Sequence, residues 1–177
     1  AIVGLGGVGL SALLASIAIG SKRTIAIDLS DEKLALAREL GADHTLNPKE
    51  EDFHEKIRDL TSGGVNIAVE TAGSGHALKT AYDITRRGGT TVAAGMPGPK
   101  VEITLSHFSI AAEERVIKGS YMGSCIAQRD IPKYLDMFQT GKLPVDRLLS
   151  RKIKFEDLNE AMDRLDDAKT VREVLIP

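Results

Sequence analysis

Apolar residues in this chain come in short runs cut off by glycine, and their spacing alternates between two periods. Ile2-Val3 closes on Gly4 and reads as the end of a strand. Leu10 to Ile19 is apolar nearly all round, broken only by Ser11 and Ser16, which predicts a helix sandwiched between a sheet and another layer and stopped at Gly20. Thr24 to Asp28 is a β-rich run ending on a carboxylate, and Ser30 is a helix cap ahead of Leu34, Leu36, Ala37 and Leu40. A brief strand at His44 to Leu46 precedes a helix over Glu50 to Leu60 that turns Phe53, Ile57 and Leu60 inward.

The second half repeats the alternation. Val65 to Glu70 predicts a strand, Ser74 to Thr85 a helix, Gly88-Gly89 a turn and Thr90 to Ala94 another strand. Gly95 to Pro99 breaks the rhythm, followed by an extended Val101 to Leu105, a helical turn at Ser106 to Ala112 and a last strand at Arg115 to Tyr121. Strands alternating with helices at this spacing predict an α/β, doubly wound parallel sheet covered on both faces. From Met122 the character changes: a helix from about Gln128 to Thr140, an alternating stretch Leu148 to Phe155, a helix from Glu156 to about Asp166 and a strand at Val171 to Ile176. Residues 1–121 are therefore expected to form a nucleotide-binding domain with a truncated first strand. Residues 122–177 are expected to be an α+β segment of a domain whose other half is absent. The chain opens without methionine and with only three or four residues of a strand, where five or six are common, so further segments are expected upstream.

With 177 residues, 42% of them hydrophobic, the chain can bury the core of one domain plus an appendage. A net charge of −2 offers no electrostatic footprint for nucleic acid or an anionic membrane. The single cysteine, Cys125, excludes an internal disulfide framework and a cysteine-built zinc site, and the default expectation is a cytoplasmic protein. Leu10 to Ile19 is too short for a membrane span and lacks the basic leader of a signal peptide.

The candidate chemistry lies in Gly4-Leu5-Gly6-Gly7-Val8-Gly9. Gly4, Gly6 and Gly9 match G-x-G-x-x-G, in which the first glycine makes the turn, the second admits a pyrophosphate and the third lets helix pack on strand. The helix start offers unpaired N–H groups to an anion. Asp28 stands near the ~20-residue offset at which a carboxylate accepts from ribose hydroxyls. A 2′-phosphate ~4 Å from it would cost on the order of 4 kcal/mol per charge pair at an effective dielectric of ~20, which favours NAD over NADP. Two alternatives stand beside these assignments: a methyl-donor nucleoside in a similar turn, and Asp28 as a mere helix cap. His44, His54, His76 and His107 lack ligand spacing, and Lys49 to Asp52 and Asp163 to Lys169 read as solvated faces.

Together with Asp28 to Lys33, Leu40 to Asp43, Gly64 to Glu70 and Thr170 to Leu175, the glycine turn resembles the coenzyme-binding half of zinc-type medium-chain alcohol dehydrogenases along essentially the whole chain. The resemblance implies a six-stranded Rossmann fold followed by the carboxyl-terminal piece of the catalytic domain. It implies ribose contacts from Asp28 and Lys33, a nicotinamide path along Thr71, Ala94, Gly95, Met96 and Met122, and a pyrophosphate contact from Arg172, whose planar fork suits paired oxygens. It also implies an alcohol or aldehyde substrate, a homo-oligomer (dimer or tetramer) paired at the Arg115 to Tyr121 strand, and a zinc held by cysteines and a histidine of the missing domain, with no catalytic or metal residue here. A zinc-independent quinone or enone reductase and a non-catalytic nucleotide-binding module are the alternative functions.

Overall fold

A computed structural model describes residues 1–166 and 170–176. Its main sheet is built from β1 (Ile2–Val3), β2 (Ile25–Ile27), β3 (His44–Leu46), β4 (Val65–Glu70), β5 (Thr85–Ala93) and β6 (Val116–Gly119). All neighbours are parallel, in the spatial order β3-β2-β1-β4-β5-β6. Parallel neighbours require crossovers, and these are α1 (Gly7–Ala18), α2 (Asp31–Glu39), α3 (Phe53–Thr61), α4 (Gly75–Ile84) and α5 (His107–Ala112).

The pleat sorts the side chains into two cores. Ile2 and Ala26 face a cluster with Leu10, Leu13 and Leu14 of α1 and Leu34 and Ala37 of α2. Val3, Ile25 and Ile27 face the opposite cluster, with Phe53 and Ile57 of α3 and Ala81 and Ile84 of α4. Burial on both faces explains why these strands read as unbroken apolar runs rather than alternating ones. Helix starts are set locally: the Ser30, Ser74 and Ser106 hydroxyls accept from the N–H groups of Lys33, Ala77 and Ser109.

The carboxyl-terminal segment contributes α6 (Ala127–Gln139), α7 (Leu158–Asp166) and a two-stranded parallel sheet of β7 (Arg151–Ile153) and β8 (Glu173–Leu175). It is not merely appended, because Leu143 and Leu148 are buried in the same core as α1 and α2. Arg147 adds a bond from its guanidinium to the Glu39 carbonyl at the end of α2, 2.8 Å.

Three expectations change. The helix over Leu10 to Ile19 is not enclosed on all sides: Leu10, Leu13 and Leu14 are buried, but Ile19 is 77% exposed and Ile17 also faces outward. The Gly88-Gly89 turn does not separate a helix ending at Thr85 from a strand starting at Thr90. Thr85 already pairs with Val65; β4 then advances two residues while β5 advances five, so Arg86 to Gly88 bulge out before Thr90 rejoins at Ile67. The last strand of the main sheet is shorter than expected, covering Val116–Gly119 only, and the carboxyl-terminal strand is trimmed likewise, to Glu173–Leu175 from the expected Val171 to Ile176. Of the predicted solvated run Asp163 to Lys169, residues 167–169 lie outside the described residues.

Candidate functional site

Strand order reverses at β1, which has β2 on one side and β4 on the other, and the connections leaving β1 and β4 pass to opposite faces of the sheet, the point at which such folds take a ligand. The glycine turn leaves β1 there. Gly4 adopts φ +93°, a conformation strained for any residue with a side chain, and its N–H donates to the Ile27 carbonyl at 2.8 Å. Gly9 packs so tightly against it that a Cβ would stand 1.8 Å from the Gly4 oxygen. The Thr71 hydroxyl closes the same contact from β4, donating to the Gly4 carbonyl at 2.6 Å.

Gly6, between them, has the opposite surroundings: a Cβ there would meet nothing within 4 Å. It is the N-cap of α1 and supplies no side-chain cap, and the first helical bond runs from Leu10 N–H to the Gly6 carbonyl. Gly6 thus leaves free room beside the unpaired N–H groups of a positive helix end, an arrangement suited to an anion.

Asp28, at the end of β2, faces this turn. Its Oδ2 accepts from Leu5 N–H at 2.6 Å and its Oδ1 from Ser30 N–H at 2.9 Å. The side-chain cap of α2 is Ser30, and Asp28 joins the two elements, one oxygen on the glycine turn and the other on the N–H of the capping residue. Each oxygen keeps lone-pair capacity for a further donor. Lys33 sits half-buried in the first turn of α2.

On the other side of β1, the carboxyl ends of β4 and β5 are clamped together. Glu70 is 2% exposed, and its Oε1 accepts from Gly73 N–H at 2.6 Å. Its carbonyl accepts from both Ala94 and Gly95 N–H groups at 2.9 Å. A Cβ on Gly95 would lie 2.2 Å from the Gly73 nitrogen, so only glycine permits this approach. Thr71, Ala94 and Gly95 are thus held at one rim, while Met96 (71% exposed) and Met122 (78% exposed) extend from it. Met122 opens a 3-10 turn with φ +50° just after β6.

Arg172 arrives from the far end of the chain. Its Nη2 and the Val171 carbonyl lie 3.3 and 3.2 Å from the position a Gly7 Cβ would take, which sets the guanidinium beside the start of α1. The glycine turn, Asp28, Thr71 and Arg172 thus meet at the carboxyl ends of β1, β2 and β4. Glu70 was not among the residues expected at the site; its only signal along the chain is a carboxylate ending a largely apolar strand before Thr-Ala-Gly.

His44, on β3, is half-buried, whereas His54, His76, His107 and Cys125 are exposed. Among the described residues no group of three His, Cys, Asp or Glu side chains is placed to hold a metal ion, and no helix is long and apolar enough to cross a membrane.

A parallel sheet in this order, with a glycine turn at the switch point and a carboxylate at the end of the next strand, defines a doubly wound nucleotide-binding fold. A family model described as zinc-binding dehydrogenase matches residues 7–140, and the chain belongs to that family. It is 35% identical to geraniol dehydrogenase of Castellaniella defragrans, over 99% of this chain and 47% of that protein. It is 34% identical to alcohol dehydrogenase class-2 isozyme 2 of Oryctolagus cuniculus, with the same coverage. The chain thus spans about half the length of these curated relatives. The fold superimposes on benzyl alcohol dehydrogenase of Acinetobacter calcoaceticus with a TM-score of 0.93 at 32% identity, covering 98% of this chain and 48% of that one. A zinc-binding dehydrogenase of Sinorhizobium meliloti solved bound to NADP superimposes at 0.87 with 26% identity, over 99% of this chain and 51% of that one.

Proposed function

We propose that the chain is the coenzyme-binding part of an NAD-dependent alcohol dehydrogenase that interconverts an alcohol and its aldehyde or ketone. The observation that carries this reading is the Asp28 carboxylate, anchored by Leu5 N–H across from an open helix start. Asp28, with Lys33 nearby, holds the adenosine ribose. The turn Gly4 to Gly9 and Arg172 hold the pyrophosphate. Thr71, Ala94, Gly95, Met96 and Met122 line the nicotinamide half.

When bound, the nicotinamide ring supplies the hydride acceptor or donor. This chain's residues bind and orient it: Asp28 accepts from ribose hydroxyls, and the rim fastened by Glu70 gives the ring a rigid wall. No residue described here is assigned to zinc. Residues 1–121 form the coenzyme domain, and residues 122–177 return to a catalytic domain that brings the metal. The exposed edge strand β6 suits pairing with a second copy, and the setting is cytoplasmic.

Titration of the 177-residue chain with NAD and NADP tests this. NAD is expected to bind more tightly, and Asp28→Ala is expected to weaken NAD by about 10-fold or more while narrowing the gap to NADP. Equal affinities for both coenzymes in wild type and variant would place the ribose elsewhere.

A further inference from the structure

We propose that Ser150 is a positioning residue for the pyrophosphate site: it fixes the backbone of Arg172 so that the guanidinium stays at the start of α1. The proposal rests on the assignment of Arg172 to the coenzyme.

Ser150 immediately precedes β7, and Arg172 immediately precedes β8. The two strands pair in parallel, Arg151 opposite Glu173, and Ser150 carries the pairing one residue further, its N–H donating to the Arg172 carbonyl at 2.8 Å. Its hydroxyl does something a strand cannot. One oxygen accepts from two consecutive N–H groups, those of Val171 at 3.0 Å and Arg172 at 3.3 Å. Three hydrogen bonds from one small residue thus fix three consecutive peptide units, two flanking Val171 and the one that follows Arg172.

The consequences reach the glycine turn. Val171 packs against the α1 core, and its carbonyl and the Arg172 Nη2 both touch the Gly7 position. Glu173, the carboxylate next to Arg172, is already taken by Arg164 in a bidentate pair of 2.9 and 2.8 Å, so it does not draw Arg172 away. An arginine on an unsecured approach to a three-residue strand would have to be ordered when the coenzyme binds; here that ordering is built in beforehand.

A double-mutant cycle read by calorimetric NAD titration of the 177-residue chain tests the proposal. Arg172→Ala is expected to weaken NAD by about 10-fold or more and Ser150→Ala by roughly 3- to 5-fold, while Ser150→Ala in the Arg172→Ala background changes affinity by less than about 2-fold. Ser150→Thr, which keeps the acceptor, should stay within about 2-fold of wild type. Ser150→Cys gives the same comparison with a weak acceptor of similar size, should the alanine variant fold poorly. Wild-type affinity in Ser150→Ala, or an equal loss with and without Arg172, overturns the proposal and leaves the coenzyme site intact. An Arg172→Ala chain that binds NAD like wild type removes the assignment of Arg172 and this proposal with it.

Discussion

The two sides of the switch point are built differently. On the β2 side, Asp28, Leu5 and Ser30 form a closed set of short bonds where the glycine turn begins, and nothing in that set depends on residues beyond position 30. On the β5 side the frame is as firm, with Glu70 fastening Gly73, Ala94 and Gly95, but the side chains that extend from it, Met96 and Met122, are largely exposed. The difference is between a polar set closed within the first thirty residues and a frame whose outward side chains are left uncovered; on the proposed reading, the first is a completed adenosine site and the second one wall of a nicotinamide site. That division suits a chain spanning about half of its curated relatives.

The comparison breaks most sharply at Gly9. A methyl there collides with the Gly4 carbonyl, so Gly9→Ala is expected to cost about 3 kcal/mol or more in a urea denaturation and to abolish NAD binding. A variant with wild-type midpoint and affinity would show that the turn and helix can part freely. Glu70→Ala strips the acceptor from Gly73 N–H and leaves a void, for an expected loss of about 2–3 kcal/mol by the same assay. An unchanged midpoint would mean that the β5 rim is not fastened by this side chain.

Asp130 offers a smaller test confined to the carboxyl-terminal segment. The Arg129 guanidinium, then the Ile126 N–H, holds its carboxyl well below the usual carboxylate range. A folded-state value below the unfolded one means the stabilisation is full above the ordinary value of 3.8 and is lost as pH falls through the folded value. Wild type should therefore exceed Asp130→Asn in stability by a constant margin from pH 5 to 8, and the margin should shrink below about pH 4. A margin independent of pH down to 3 would assign the effect to something other than ionisation.

The smallest effect is expected at Met122→Ala, within about 0.5 kcal/mol in stability because the side chain is exposed, with a change in NAD affinity of about 2-fold. A large loss would mean that the nicotinamide wall is more complete than its exposure suggests.

Most of the framework was legible along the chain. Fully buried strands betray themselves as apolar runs, and Ser30, Ser74 and Ser106 mark helix starts through a local bond that needs no tertiary partner. The boundary at Thr85 was not legible, because whether a residue after a helix pairs at once with Val65 or after a turn depends on the neighbouring strand. The exposure of Ile17 and Ile19 was hidden for the same reason: periodicity reports a face, not what covers it.

The candidate site divides along this line. The glycine spacing and the carboxylate about twenty residues on are properties of consecutive residues, set by turn sterics and strand length, and they could be named before any fold was known. The meeting of Asp28 with Leu5, the clamp of Glu70 on Gly73 beneath Gly95, and the return of Val171 and Arg172 to the start of α1 join residues as much as 165 positions apart. Such contacts depend on strand order and on how the carboxyl-terminal segment buries Leu143 and Leu148 beside α1, which hydrophobic pattern alone does not specify.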